Sequence, residues 1–395
     1  MTAIVIIGAG ECGVRAAFAL REQGFDGNVT LIGAETPLPY ERPPLSKYLT
    51  AAAKPIRPED AYAEKAIDLR LGTRVSRLDP ASRSVALDDG ETLTYDKLLL
   101  ATGARARLFA GMEGCLTLRS DRDAAAIHTR LKPGARIGII GGGFIGLELA
   151  ATARKAGAEV TVIEAGPRLL GRAVPEEIAA VVRDRHAVEG IRLLIGAGVT
   201  MADARKITLT DGQVLDFDMV IAGVGALPDT ALAEAAGLAV DNGVVVDRDF
   251  RATDPHVFAA GDCCNFAWHD ARVRLESWKA AQDQGAHVAA SMLGRAEPYA
   301  KVPWFWSDQY DLTLQVAGLF DMALPVRSRE TGDETRLVFQ CNAAGHLAAA
   351  AGIGPGNTIA KDLRILEKLI ERAAIVDPDV LADPSQNLKR QLKAA

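Results

Sequence analysis

"IVIIGAGECGVRAA" (residues 4–17) and "IGIIGGGFIGLELA" (residues 137–150) are two versions of one pattern. In each, an aliphatic run breaks into glycines spaced G-x-G-x-x-G, and small helix-forming residues follow. That order predicts a buried strand, a tight turn and a helix whose N-terminus is open to phosphate. The first copy reads as a strand over Ala3–Ile7, a turn at Gly8, Gly10 and Gly13, a helix through Arg21 and a second strand over Val29–Ile32. The second reads as a strand over Arg136–Ile140, a turn at Gly141, Gly143 and Gly146, a helix over Leu147–Ala156 and a strand over Val160–Ile163. An acid follows each second strand, Glu35 and Glu164, and an acid there accepts hydrogen bonds from ribose hydroxyls. A lone glycine motif is weak evidence. A complete strand, turn, helix, strand and acid occurring twice predicts two bound dinucleotides, against the alternative of glycine-rich packing with no ligand. Glu11 and Cys12, like Phe144 and Ile145, fill the variable places of the motifs and so fall at these sites.

Two dinucleotide sites imply electron traffic between two carriers, because hydride chemistry belongs to the cofactors and the protein positions them. A flavin and a nicotinamide are the natural pair. Three further stretches fit. "YDKLLLATGARAR" (95–107) and "FDMVIAGVGALPD" (217–229) are each a buried strand ending in small residues, Ala101, Thr102 and Gly103 in one and Gly223 and Gly225 in the other. "HVFAAGDCCNF" (256–266) is a strand running into Gly261 and Asp262, where an acid beside a glycine can accept hydrogen bonds from a ribityl chain.

The 395 residues, 49% of them hydrophobic, suffice for two or three domains with substantial cores. A formal charge of -6 provides no general basic surface for nucleic acid or anionic lipid. The opening residues read as a buried strand rather than a signal peptide, and no uncharged apolar run reaches membrane-spanning length. The cysteines, Cys12, Cys115, Cys263, Cys264 and Cys341, match neither a disulfide framework nor a zinc ribbon, so a reducing cytoplasm is expected and no metal site. The neighbours Cys263 and Cys264 read as ordinary buried thiols.

The order of G-x-G-x-x-G, "PYERPPLSK" (39–47), "ATG" (101–103), the second G-x-G-x-x-G and "AAGD" (259–262) resembles the two-dinucleotide-binding-domain flavoprotein superfamily. "PYERPPLSK", "ESWKAAQDQG" (276–285) and "VPWFWSDQYDLTLQVAG" (302–318) narrow it. Together they resemble the FAD-dependent ferredoxin reductases of bacterial aromatic-ring dioxygenase and some cytochrome P450 systems, fold relatives of apoptosis-inducing factor. The resemblance implies a glutathione-reductase-like α/β fold: two Rossmann-like dinucleotide-binding domains and a C-terminal α+β cap. The matching layout is 1–107 with 228–300 for FAD, 108–227 for NAD and 301–395 for the cap. Apolar residues at helical spacing, including Leu363, Leu366, Leu369 and Ile370, predict a helix from Lys361, then a polar end.

Disulfide reductases of that superfamily carry a C-x-x-x-x-C pair, and its NADH peroxidases and oxidases a lone redox cysteine after the second strand. The sequence has neither. Electrons must then leave for an external acceptor, and the resemblance implies a [2Fe-2S] ferredoxin: Rieske-type and feeding a dioxygenase, or cysteine-ligated and feeding a P450. An NADH- and FAD-binding redox sensor is the alternative from another class.

By motif, the resemblance implies that Lys47 of "PPLSK" reaches the flavin, that Glu148 pairs with it, and that Asp262 meets the ribityl chain. Arg42, Arg119, Glu276, Ser277 and Trp278 are further flavin-side candidates, and Val75 falls near the adenine half. Relatives often place an acid where this chain has Ala34, so the ribose contact is assigned to Glu35. Lys47, Glu148 and Trp306 are the candidate catalytic residues. If 304–309 is a strand, alternation puts the Trp304 and Trp306 rings on one face and Phe305 on the other. Core packing is the plainer reading of Trp304. Trp306 precedes the polar Ser307, Asp308 and Gln309, which suits a boundary where electrons exit to ferredoxin.

Overall fold

The computed structural model describes residues 2–48, 53–269, 271–295, 297–332 and 334–394. Contacts divide the chain into two compact units, one of Met1–Arg42, Ala52–Arg105 and Ala226–Lys301, the other of Pro43–Ala51, Ala106–Gly225 and Val302–Ala395.

In the first unit five strands run parallel in the order Val257–Ala259, Lys97–Leu100, Ala3–Ile7, Asn28–Ile32, Ile67–Arg70. Parallel strands are covered on both faces and so carry continuous apolar runs. Ile4, Ile6, Leu31, Leu98 and Val257 are accordingly almost inaccessible. The chain leaves Ala3–Ile7 toward Asn28–Ile32 on one side and returns as Lys97–Leu100 on the other. This reversal of strand order opens a crevice at the C-terminal end of the first strand, where open α/β sheets bind ligands. The helix Glu11–Glu22 packs against Trp278–Met292 through small residues. A Cβ on Gly285 would lie 2.6 Å from the Cys12 carbonyl oxygen, so the glycine that closes "ESWKAAQDQG" lets two backbones touch.

The second unit repeats the plan. Its parallel sheet runs Arg192–Ile195, Glu159–Glu164, Arg136–Ile140, Met219–Ala222. Each unit also has a three-stranded antiparallel meander, Val75–Asp79, Ser84–Leu87 and Thr92–Thr94 in the first and Val199–Ala202, Lys206–Leu209 and Val214–Asp216 in the second. The second unit adds an antiparallel sheet in the order Trp304–Gln309, Leu312–Gly318, Leu347–Pro355, Arg336–Cys341, Arg327–Arg329. The helix Ala360–Glu371 packs on this sheet through Leu363, Leu366, Leu369 and Ile370.

Three local expectations change. The helices start at Glu11 and Phe144, immediately after the second glycine of each motif, not at Leu147 in the second copy. Gly10 and Gly143 are extended N-caps, and the third glycine lies within the first helical turn. The strand ending the second motif extends through Glu164, so that acid is its last residue. Beyond Ala360–Glu371 the chain is not merely polar: the short helices Pro378–Ala382 and Leu388–Ala394 bury Leu381 and Leu388. The Arg329 guanidinium, 8% exposed, holds the carbonyls of Leu381, Asp383 and Gln386 at 2.9, 2.6 and 2.8 Å. Among the described residues no helix is long and apolar enough to cross a membrane, and no three His, Cys, Asp or Glu side chains group as a metal site.

Candidate functional site

Each glycine motif divides its labour the same way. Gly8 has φ +111°, and a Cβ there would meet the Ala101 carbonyl oxygen at 2.1 Å, so the turn requires glycine and brings "ATG" against the first motif. A Cβ on Gly13 would meet the Gly8 carbonyl oxygen at 1.9 Å, which is the close packing of helix on strand. Gly10 has nothing within 4 Å of its Cβ position, leaving a bare cradle at the helix N-terminus. In the second unit Gly141, Gly146 and Gly143 repeat this, with Cβ positions 2.3 Å from the Gly223 oxygen, 2.3 Å from the Gly141 oxygen and open. An ADP-bearing cofactor fits both cradles.

Around the first cradle, Tyr40 donates its hydroxyl to Glu35 Oε2 and Arg42 Nη2 pairs with Oε1, each at 2.5 Å. The acid after Ala34 is thereby fixed in orientation. Glu11 accepts from the Gln282 amide and the Trp278 indole, and burial pushes its carboxyl above its ordinary value against those donors. The main-chain NH of Gly261 donates to Gln284 Oε1 at 2.7 Å, while Gln284 Nε2, fully buried, has no partner among the described residues. Thr102 Oγ1 donates to the Asp229 carbonyl at 2.6 Å, with Gly103 following. Ser277 caps the helix that Trp278 starts, and Glu276 ion-pairs with Arg274, whose guanidinium also donates to the Asp262 carbonyl at 3.3 Å. Val75 is buried in the core of the first unit. Cys12, Cys263 and Cys264 are buried with free thiols that burial pushes up.

At the second cradle Glu164 receives the main-chain NH of Gly142 at 2.7 Å on Oε2 and of Gly166 at 2.6 Å on Oε1. Arg168 is committed to the carbonyls of Val174 and Gly171, whereas exposed Arg172 lies 3.9 Å from a Cβ position on Gly225. Ile145 is 49% exposed beside the cradle, and the Phe144 ring meets Phe305 edge-on at 5.1 Å. Arg119 lies just before the capping box Ser120–Asp123, and its main-chain NH donates to Asp123.

The second unit also assembles the candidate catalytic residues. Pro44–Lys47 is a single helical turn on which Lys47 Nζ reaches Glu148 Oε1 at 2.9 Å and Asp308 Oδ2 at 2.7 Å. Ser46 donates to Glu148 Oε2 at 2.5 Å and Ser307 to Oε1 at 2.6 Å. Thr152 donates to the Ser46 carbonyl at 2.7 Å, tying the turn to the helix Phe144–Lys155. The strand Trp304–Gln309 alternates as expected. Trp304 and Trp306 stack at 5.6 Å and Lys47 Nζ lies 5.7 Å from the Trp306 ring, while Phe305 takes the opposite face. Trp304 packs against the cap core. Sequence reading passed over Ser46, Asp308 as a second acid on Lys47, and the buried Ser307, Gln309 and His186. A signal existed: Ser307 and Gln309 share Phe305's face at spacing two, so two polar groups enter a buried face.

A family model described as pyridine nucleotide-disulphide oxidoreductase matches residues 2–285. The chain belongs to that family. A second model, reductase C-terminal, matches residues 304–392 of this oxidoreductase. It is 41% identical to the anthranilate 1,2-dioxygenase system ferredoxin–NAD(+) reductase component of Burkholderia cepacia, over 98% of each chain. It is 40% identical to the putidaredoxin reductase of Pseudomonas putida, over 80% of each chain. Among solved structures, that of a covalent putidaredoxin reductase–putidaredoxin complex superposes with TM-score 0.94 at 35% identity, covering 100% of this chain and 99% of the other. A ferredoxin reductase from Rhodopseudomonas palustris superposes with TM-score 0.92 at 37% identity, over 99% of each chain. Members of this oxidoreductase family use FAD and NAD(H).

Proposed function

We propose that this oxidoreductase is a ferredoxin–NAD(+) reductase: NADH and two oxidised ferredoxins yield NAD(+), a proton and two reduced ferredoxins. The observation that carries it is the pair of complete dinucleotide cradles in a chain whose five cysteines include no C-x-x-x-x-C pair, so that electrons must go to an external acceptor. Bound FAD supplies the conversion of a two-electron hydride into single electrons.

In this reading, residues 1–107 and 228–300 hold FAD, 108–227 hold NADH and 301–395 form the cap. Gly8, Gly10 and Gly13 shape the FAD cradle, with Glu35 for the ribose and Asp262 for the ribityl chain. Gly141, Gly143 and Gly146 shape the NADH cradle, where Glu164 accepts from both ribose hydroxyls and disfavours a 2′-phosphate by charge. Lys47 and Glu148 position the reacting rings, and Trp306 marks the electron exit. The acceptor is a Rieske-type [2Fe-2S] ferredoxin in the cytoplasm, feeding an aromatic-ring dioxygenase; the dioxygenase system in the Burkholderia cepacia relative's name supports the last of these. A cysteine-ligated ferredoxin feeding a P450 is the second reading, favoured by the likeness to putidaredoxin reductase.

Steady-state reduction of each ferredoxin type with NADH and NADPH is the test. Fast NADH-dependent turnover with a clear preference over NADPH is expected. No ferredoxin reduction alongside normal flavin reduction would favour the redox-sensor reading, and equal efficiency with both nucleotides would remove Glu164 from the ribose.

A further inference from the structure

We propose that His186, Gln309 and Ser307 form a one-way chain of donors that orients Glu148, and through it Lys47, as positioning residues for hydride transfer. The proposal rests on the ferredoxin reductase reading for what Lys47 does, and on geometry alone for the chain itself. His186 Nε2 lies 2.9 Å from Gln309 Oε1, Gln309 Nε2 donates to Ser307 Oγ at 2.9 Å, and Ser307 Oγ donates to Glu148 Oε1 at 2.6 Å. His186, Gln309 and Ser307 are each 0% exposed, so no link faces bulk solvent.

The carboxylate dictates every proton in this series. Paired with Lys47, Glu148 can only accept, so Ser307 must spend its single proton on it. The Ser307 oxygen must then accept, which turns the NH2 of Gln309 toward it and leaves Gln309 Oε1 facing His186. An amide oxygen cannot donate, so His186 must carry its proton on Nε2. The charge at one end of the array thus fixes the tautomer at the other. Burial pushes the His186 imidazole below its ordinary value, in keeping with the neutral Nε2–H form, and its Nδ1 is buried without a partner among the described residues. The groups around the ring are Arg185 on its own helix, Glu189 at that helix's C-cap, and Tyr310, whose ring meets it edge-on at 5.1 Å. Chains of hydrogen bonds that all point one way polarise one another.

What the array accomplishes is placement. Glu148 is held on both oxygens, by Ser46 on one and by Ser307 and Lys47 on the other. The Lys47 ammonium is then located by two carboxylates, Glu148 and Asp308. Small displacements of positioning groups cost rate steeply.

The test uses holoenzyme labelled with 15N-histidine, with the His186 signals identified by their loss in His186→Gln. The Nε2–H tautomer is expected in the parent protein. Ser307→Ala, which deletes one oxygen, and Glu148→Gln, whose amide no longer forces the direction of the chain, are both expected to admit the Nδ1–H tautomer. Stopped-flow reduction by NADH is expected to slow about tenfold in Ser307→Ala and Gln309→Met, with FAD retained and the nucleotide dissociation constant unchanged. An unchanged His186 tautomer in Ser307→Ala overturns the proposal, even if rates fall, because the effect would then be one of packing. Unchanged rates with an altered tautomer also overturn it, since the chain would exist without positioning anything. Were the parent protein not reduced by NADH at all, the functional reading would fail while the NMR arm still judged the chain.

Discussion

Lys47 is one cation between two acids, and its side chain is only 10% exposed. Removing it leaves Glu148, 8% exposed, with two hydroxyl donors but no counter-charge, an arrangement that typically costs about 3–5 kcal/mol when a buried pair is broken. We expect Lys47→Ala to slow flavin reduction by NADH in stopped flow while FAD stays bound; an unchanged rate would sink the positioning role. Lys47 and Glu148 were legible because each sits in a recognisable motif. Ser307 and Gln309 left a signal in their alternation, but their bonds to Glu148 and His186 were not legible, because no local pattern announces a hydrogen bond across more than a hundred positions.

For elements, legibility follows period and punctuation. The glycine-broken aliphatic runs were readable as strands and helices because both signals agree. The helix starts were misplaced in the second copy because packing against the Gly141 carbonyl, not the turn, calls for the third glycine. The strand Trp304–Gln309 was readable from alternation once treated as a strand, and its two faces carry different roles. On one face Phe305, Ser307 and Gln309 meet Phe144, Glu148 and His186. On the other, Trp306 stacks on Trp304 beside the Lys47 ammonium. Trp306→Ala therefore leaves the donor array in place. We expect it to spare NADH-to-flavin transfer and ferricyanide reduction while slowing ferredoxin reduction, because the small acceptor needs no docked surface and aromatic anchors dominate interfaces. Parallel loss of ferredoxin and ferricyanide rates would make Trp306 a folding or cofactor-site residue.

Across the whole molecule, one buried and two half-buried histidines set a pH dependence. Burial pushes His128, His186 and His287 below the ordinary 6.5. As pH falls through about 6.5 the unfolded chain takes up protons that the folded one refuses until its lower values are reached, so stability is lost on acidification. Glu11, pushed up by burial, works in the opposite direction, one group against three. The urea midpoint is expected to be lower at about pH 5.5 than at about 7.5; a flat or rising midpoint would contradict this. The assignment of segments to units was the least legible property. Pro43–Ala51 lies in sequence amid the first unit yet clusters with the second, because Ser46 and Lys47 bond to Thr152, Glu148 and Asp308, and a motif of nine letters does not state which partners its side chains reach.

The distribution of sulfur makes this protein convenient to instrument. Cys12, Cys115, Cys263 and Cys264 are buried, and burial pushes all four thiols up, Cys115 to about 11. Thiolate, not thiol, attacks an alkylating dye. Burial pushes the Cys341 thiol up as well, so access decides: partly exposed at the end of the strand Arg336–Cys341, it is the one addressable position. A maleimide fluorophore should therefore attach once per folded chain and five times in urea. Mass spectrometry reads both stoichiometries directly, and the wild-type sequence would then accept a ferredoxin-binding reporter without a single engineered cysteine.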